Sequence, residues 1–97
     1  MNIQKLINDS KTTIVDVRTE EEFLEGNVNG SINIPLDEVS DRVEELKQMQ
    51  PLVLCCLSGG RSGQATDYLQ SLGCKKVYNG GGWEEVVAQQ SNNKSSI

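Results

Sequence analysis

Leu52-Val53-Leu54-Cys55-Cys56-Leu57-Ser58-Gly59-Gly60-Arg61-Ser62 is the stretch that decides the fold. Its first part, Leu52 to Leu57, is continuously apolar rather than alternating, which is how a strand reads when helices cover both faces of a parallel sheet. Its second part passes through two glycines toward Ala65, Tyr68, Leu69 and Leu72, whose spacing predicts a helix that Gly73 can terminate. A buried strand running straight into a helix is the unit of an open α/β sheet, and such sheets bind ligands beyond the carboxyl ends of their strands. Chemistry is therefore expected just after Cys56.

Working outward, the rest of the chain alternates in the same way. Ile3, Leu6 and Ile7 fit a short helix, and Thr12 to Val17 is a β-branched run that predicts a strand. Thr19 lies three residues before Glu22, the spacing of a capping box, so Glu20 to Glu25 reads as a short helix with Phe23 and Leu24 turned inward and Gly26 as its stop. Ser31 to Pro35 predicts a brief strand. Leu36, Val39, Val43 and Leu46 then follow one helical face to about Met49, and Pro51 separates this helix from the central strand. Lys76 to Tyr78 can form a last strand, and Trp83, Val86 and Val87 fit a final helix. The expected architecture is an α/β domain with an open parallel sheet of about five short strands and helices on both faces. One domain is expected over residues 1–88. Residues 89–97 are almost all Gln, Ser, Asn and Lys and read as a frayed polar tail.

Composition narrows the function. A chain of 97 residues has room for one domain, which buries somewhat over ~60% of the surface of its unfolded form. Fourteen acidic residues against nine basic ones, a formal charge of -5, argue against a nucleic acid or an anionic membrane as the main partner. No apolar run approaches the ~18 residues of a membrane span, so the cytoplasm is the expected compartment; the oligomeric state is not legible in the sequence, and a monomer is compatible with it. Three cysteines, two of them adjacent, do not resemble the paired framework of a small secreted protein, and reduced thiols are expected. The absence of histidine removes the usual neutral-pH base, any Cys-His couple and the commonest metal ligand, so neither a metal nor a cofactor is expected.

Cys56 carries the chemistry that remains. The loop joins a strand to a helix, so amides of the first helical turn point back into it, and Gly59 and Gly60 let further N–H groups of Leu57, Ser58 and Ser62 approach a bound anion. A cysteine at the mouth of this nest gains thiolate character from the helix N-terminus, from the loop amides and from the Arg61 cation. Each residue alone has a plainer reading: a small buried hydrophobe for Cys56, an ordinary turn for the glycines, a solvated cation for Arg61. Their clustering favours the nucleophile. Strand alternation allows only one of Cys55 and Cys56 to face the loop, so Cys55 is read as core, and Cys74 as packing. Asp16 and Arg18 read as a structural salt bridge or a turn hydrogen bond, with a supporting role at the site as the alternative. Trp83 reads as a core anchor rather than a border of the pocket.

Cys56 to Ser62 resembles the active-site loop of single-domain rhodanese-type sulfurtransferases. Asp16-Val17-Arg18 with Glu22-Phe23, Gly26 and Asn33-Ile34-Pro35 is similar to that family's N-terminal motif, and Asn79-Gly80-Gly81-Gly82-Trp83 to its C-terminal one. Gly26-Asn27-Val28 departs from the usual Gly-His-Ile, away from the nucleophile, which leaves the chemistry and bears on packing or partner choice. The resemblance implies the rhodanese fold, with Cys56 forming a persulfide. In the implied cycle the Cys56 thiolate takes the outer sulfur of a small anionic donor such as thiosulfate, Arg61 binds the donor's oxyanion, and a thiol, a protein thiol or cyanide accepts the sulfur. Two other readings stand beside it. The domain could be a noncatalytic binding or persulfide-relay module. Alternatively, Cys55-x5-Arg61-Ser62 literally satisfies a cysteine-phosphatase signature, although its glycines are misplaced for one and Leu54 stands where a histidine is usual. Counted from Cys56, the loop is a residue shorter than those of rhodanese-like phosphatases and arsenate reductases.

Overall fold

A computed structural model of the chain describes residues 2–90; residues 91–97 of the expected tail lie outside the described residues. Four parallel strands, β1 (Thr13–Asp16), β2 (Ile32–Asn33), β3 (Leu52–Cys56) and β4 (Val77–Gly82), form one sheet in the order β2-β1-β3-β4. About five strands were expected. The four strand-like runs of the sequence are all used, and the remaining apolar residues carry helical spacing. The helices are α1 (Ile3–Ile7), α2 (Glu20–Glu25), α3 (Val43–Gln48), α4 (Gly60–Ser71) and α5 (Trp83–Gln89), with a 3₁₀ segment over Leu36–Arg42. Among the described residues no helix is long and apolar enough to cross a membrane.

Every residue of β3 is buried, which is why the strand reads as uninterrupted apolar sequence. Leu52, Leu54 and Cys56 enter one core with Val15, Val17, Leu46, Ala65 and Leu69; Val53 and Cys55 enter the other with Ile7, Ile14, Val28 and Val86. The adjacent cysteines therefore stand on opposite faces of the sheet, as the period of two requires. The face that α4 buries is Ser62, Ala65, Thr66 and Leu69, while Tyr68 and Leu72 reach solvent. The helix tolerates two polar residues in that stripe because the Thr66 hydroxyl donates to the Ser62 carbonyl at 2.7 Å and the Ser62 hydroxyl is also bonded.

The structure departs from expectation in four places. Leu24 is 74% exposed and only half-buried Phe23 turns inward, because α2 is short and neighbouring positions on it lie about 100° apart. Leu36 to Met49 is a 3₁₀ segment followed by α3, not one α-helix: Leu36 and Val39, then Val43 and Leu46, are spaced i, i+3, and the chain resets at Arg42. β4 continues past Tyr78 through three glycines, and its register slips so that Leu54 pairs with Asn79 but Cys55 with Gly81. The residue passed over, Gly80, lies so close to β3 that a Cβ there would stand 2.7 Å from Val53 Cγ1. Finally, the polar segment begins inside the fold. The Gln89 carbonyl accepts from Asn8 Nδ2 at 2.9 Å, and buried Gln90 donates to the Asn29 carbonyl at 3.2 Å.

Candidate active site

Cys56 ends β3 and is nearly inaccessible, with its sulfur held where the chain turns into α4. Gly59 makes that turn with φ of 105°, in the left-handed region that favours glycine. Its amide then donates to Cys56 Sγ at 3.0 Å, and the amide and hydroxyl of Ser62 each lie 3.4 Å from the same sulfur. Gly60 takes no positive φ, and a Cβ on it would meet nothing within 4 Å, so only one of the two glycines is needed for the backbone. Burial pushes the Cys56 thiol up, but donation from the Ser62 hydroxyl and from the amides of Ser62, Gly59 and Ser58 outweighs it, and the thiol lies below its ordinary value. On the other face burial, reinforced by the charge of Asp16, pushes Cys55 up to about 12. The two thiols differ in acidity because of the side of the sheet each occupies, and this weakens the count from Cys55 to Arg61. Cys74 is a buried free thiol packed in the core.

Asn79 on β4 completes the cradle; it stands in the Asn79-to-Trp83 motif, but nothing local to that motif points to the Cys56 loop. Its Oδ1 accepts from the Ser62 hydroxyl at 2.7 Å and from the Gly81 amide at 3.0 Å, and its Nδ2 donates to the Gly59 carbonyl at 3.1 Å. The side chain thus ties down Ser62 and Gly59, two of the three residues whose amides donate to the sulfur. The Ser62 hydroxyl has one hydrogen to give, so it serves Asn79 or the sulfur at any moment.

Arg61 does not stand free at the loop mouth. Its Nη1 and Nη2 donate to the two carboxylate oxygens of Glu22 at 2.8 and 3.1 Å, and both side chains are about one-third exposed. Glu22 also serves the capping box of α2: its Oε1 accepts from the Thr19 amide at 3.0 Å and from the Thr19 hydroxyl at 3.1 Å. Held by Arg61 first and by the Thr19 amide second, the Glu22 carboxyl is lowered to about 2. The spacing of Thr19 and Glu22 reveals the cap; nothing local reveals a bond spanning 39 residues.

Asp16 and Arg18 form a fully buried ion pair at 2.7 Å. Arg18 also donates to the Gly26 carbonyl at 2.6 Å, and its guanidinium lies 4.8 Å from the centre of the Trp83 ring. Trp83 packs on the core and also borders a shallow depression of about 310 Å³ with Glu22, Glu25, Leu57 and Glu84. A second depression, of about 340 Å³, lies between Val17, Thr19, Pro35, Leu36, Asp37 and Arg61. Leu57, 61% exposed, and exposed Ser58 form the outer rim of the loop. Among the described residues no group of three His, Cys, Asp or Glu is placed to hold a metal.

The model of the family described as rhodanese-like domain matches residues 2–89. The mouse thiosulfate sulfurtransferase/rhodanese-like domain-containing protein 3 is 38% identical over 103 residues, covering 91% of this chain and 66% of that protein. Thiosulfate sulfurtransferase PspE of Escherichia coli is 35% identical over 75 residues, covering 75% of this chain and 72% of that protein. The chain spans 55%, 66% and 41% of the length of three curated relatives that it matches. Among solved structures, rhodanese with anions from E. coli superposes with a TM-score of 0.69 at 34% identity, covering 76% of this chain and 89% of that one.

Proposed function

The chain belongs to the rhodanese-like domain family, and we propose that it is a sulfurtransferase that moves a sulfane sulfur from thiosulfate or a persulfide donor to a thiol or cyanide through a persulfide on Cys56. The observation that carries this reading is the set of donors converging on Cys56 Sγ: the Gly59 amide at 3.0 Å and the Ser62 amide and hydroxyl at 3.4 Å. They favour an ionised sulfur, which is the nucleophile the reaction needs.

The thiolate attacks the outer sulfur of the donor. A bond forms between Sγ and that sulfur while the donor's own bond breaks, and the electron pair departs on sulfite or on a thiolate. A thiol acceptor then attacks the outer sulfur of the persulfide and releases the Cys56 thiolate. No electrons are gained or lost overall, and because the leaving groups carry their charge well, no protonating residue has to be found in a chain without histidine. In this reading the amides of Leu57, Ser58, Gly59, Gly60 and Ser62 hold the persulfide's outer sulfur, a role supported by the Gly59 and Ser62 amides already directed at Cys56 Sγ. On the face of Arg61 that Glu22 holds, an oxyanion donor would have to exchange its sulfonate for that carboxylate.

The test is the intact mass of the reduced protein before and after thiosulfate or an alkyl persulfide. Wild type and Cys55→Ser gain one sulfur atom and Cys56→Ser gains none; no gain in wild type from either donor would remove the proposal in favour of a binding module.

A further inference from the structure

We infer that Glu22 determines the donor: by occupying the Arg61 fork it sets the site for sulfur carried as a persulfide on an uncharged thiol carrier and against the free oxyanion thiosulfate. The inference rests on the sulfurtransferase reading and specifies its substrate class.

Each cation near the loop is already matched. Arg18 is committed to Asp16 and the Gly26 carbonyl. Nη1 and Nη2 of Arg61 each give one N–H to the two Glu22 oxygens, so one bidentate face that a sulfonate could use is occupied and the carboxylate offsets the guanidinium charge. Glu22 is no casual partner, since the amide and hydroxyl of Thr19 hold it in place as part of the α2 cap. Its carboxyl, lowered to about 2, stays ionised at any pH at which the protein would work. The remaining charges around the loop are of the wrong sign for an anion: Glu25 and Glu84 line one depression and Asp37 the other.

On that face a doubly negative donor must therefore displace a tethered carboxylate while approaching others. The pair is about one-third exposed and intrinsically weak, so the displacement is possible, but the competitor is present at the effective concentration of an intramolecular group, about millimolar or above. A persulfide R–S–SH makes no such demand. The Cys56 thiolate attacks its outer sulfur, the Sγ–S bond forms, the inner S–S bond breaks, and the electron pair leaves on R–S⁻. The exposed Leu57 and the Trp83 edge offer an apolar contact for an uncharged R group.

Glu22→Gln is the discriminating variant, because Gln at this position still completes a capping box while releasing Arg61. Two readouts are taken at constant ionic strength: steady-state transfer from thiosulfate and from the persulfide of 2-mercaptoethanol, and protection of Cys56 from iodoacetamide by inorganic sulfate, which needs no turnover. Glu22→Gln is expected to lower the thiosulfate KM and the half-protecting sulfate concentration by roughly five-fold, with kcat/KM for the persulfide within about two-fold of wild type. The double variant Glu22→Gln/Arg61→Gln returns both to wild-type values or weaker. An active wild type whose thiosulfate KM and sulfate protection do not move in Glu22→Gln overturns the donor assignment alone. No transfer from either donor by either protein overturns the sulfurtransferase reading, and donor selection with it, whatever sulfate does.

Discussion

At the scale of single residues, Cys56 and Gly59 do what their neighbours in sequence announce, and Gly60 does not. Gly59→Ala must place a Cβ at φ of 105°, 3.4 Å from Gly81 Cα, and is expected to lower stability by about 1–2 kcal/mol. Gly60→Ala puts a methyl into open space in the first turn of α4 and should be neutral or stabilising by up to about 1 kcal/mol. Urea unfolding of the two variants side by side checks this, and equal losses would mean that the loop needs both glycines. The sulfur itself titrates in a calculable direction. Because its pKa is lower in the folded chain, the thiolate adds stability that is fully present above the unfolded thiol pKa and fades as pH falls through the folded one. The rate of Cys56 alkylation against pH should accordingly turn upward below the midpoint of a free thiol. Ser62→Ala, which removes the side-chain donor, should move that midpoint up; an unmoved midpoint would leave the hydroxyl bonded to Asn79 alone. Legibility at this scale tracks distance along the chain. Donors to the sulfur lie within six residues of it and could be read. Glu22 and Asn79 reach the loop from α2 and β4, so their parts in the site depended on folding.

At the scale of elements, those with a local cause were legible and those shaped by a neighbour were not. α2 follows from Thr19 and Glu22 three residues apart, and its capping box forms as the spacing requires. β4 was foreseen only as far as Tyr78, because three glycines in a row have low strand propensity and say nothing by themselves of what presses on them. The pressure comes from β3: a Cβ on Gly80 would meet Val53 Cγ1 at 2.7 Å, Val86 Cγ2 at 3.1 Å and the Leu54 carbonyl at 3.2 Å. Gly80→Ala should therefore cost about 1–3 kcal/mol by overpacking, seen as a lowered Tm. Since β4 carries Asn79, the same change should also slow Cys56 alkylation at neutral pH. A lowered Tm with unchanged alkylation would separate the glycine's packing from its service to the loop.

At the scale of the whole molecule, the helical connections and parallel strands followed from the alternation of patterns, but the order β2-β1-β3-β4 is a property of the closed sheet that no segment states. Beside the apolar core of Val53, Val28 and Val86, a buried ion pair, Asp16 with Arg18, ties the sheet to α2 and α5. Asp16 lies on β1; the Asn33 amide of β2 donates to the carbonyls of both Asp16 and Arg18 at 2.9 Å. Arg18 bonds the Gly26 carbonyl at the end of α2 and faces the Trp83 ring at the start of α5. Composition would place both residues at the surface, where most charges are; their place at the end of β1 suggested that they pair, and only the closed fold shows them buried. Arg18→Met leaves the Asp16 carboxylate buried without its partner, a change that costs about 3–5 kcal/mol against a total of about 5–15 kcal/mol for a domain of ordinary stability. Arg18→Lys should recover little of this, because one ammonium cannot span Asp16, the Gly26 carbonyl and the face of the indole together. Asp16→Asn/Arg18→Met removes the stranded charge, so it should be more stable than Arg18→Met alone in guanidinium unfolding. If the double variant were instead the weaker of the two, the loss in Arg18→Met would come from the contact with Trp83 and the lost bond to Gly26, and the carboxylate would be tolerating its burial by other means.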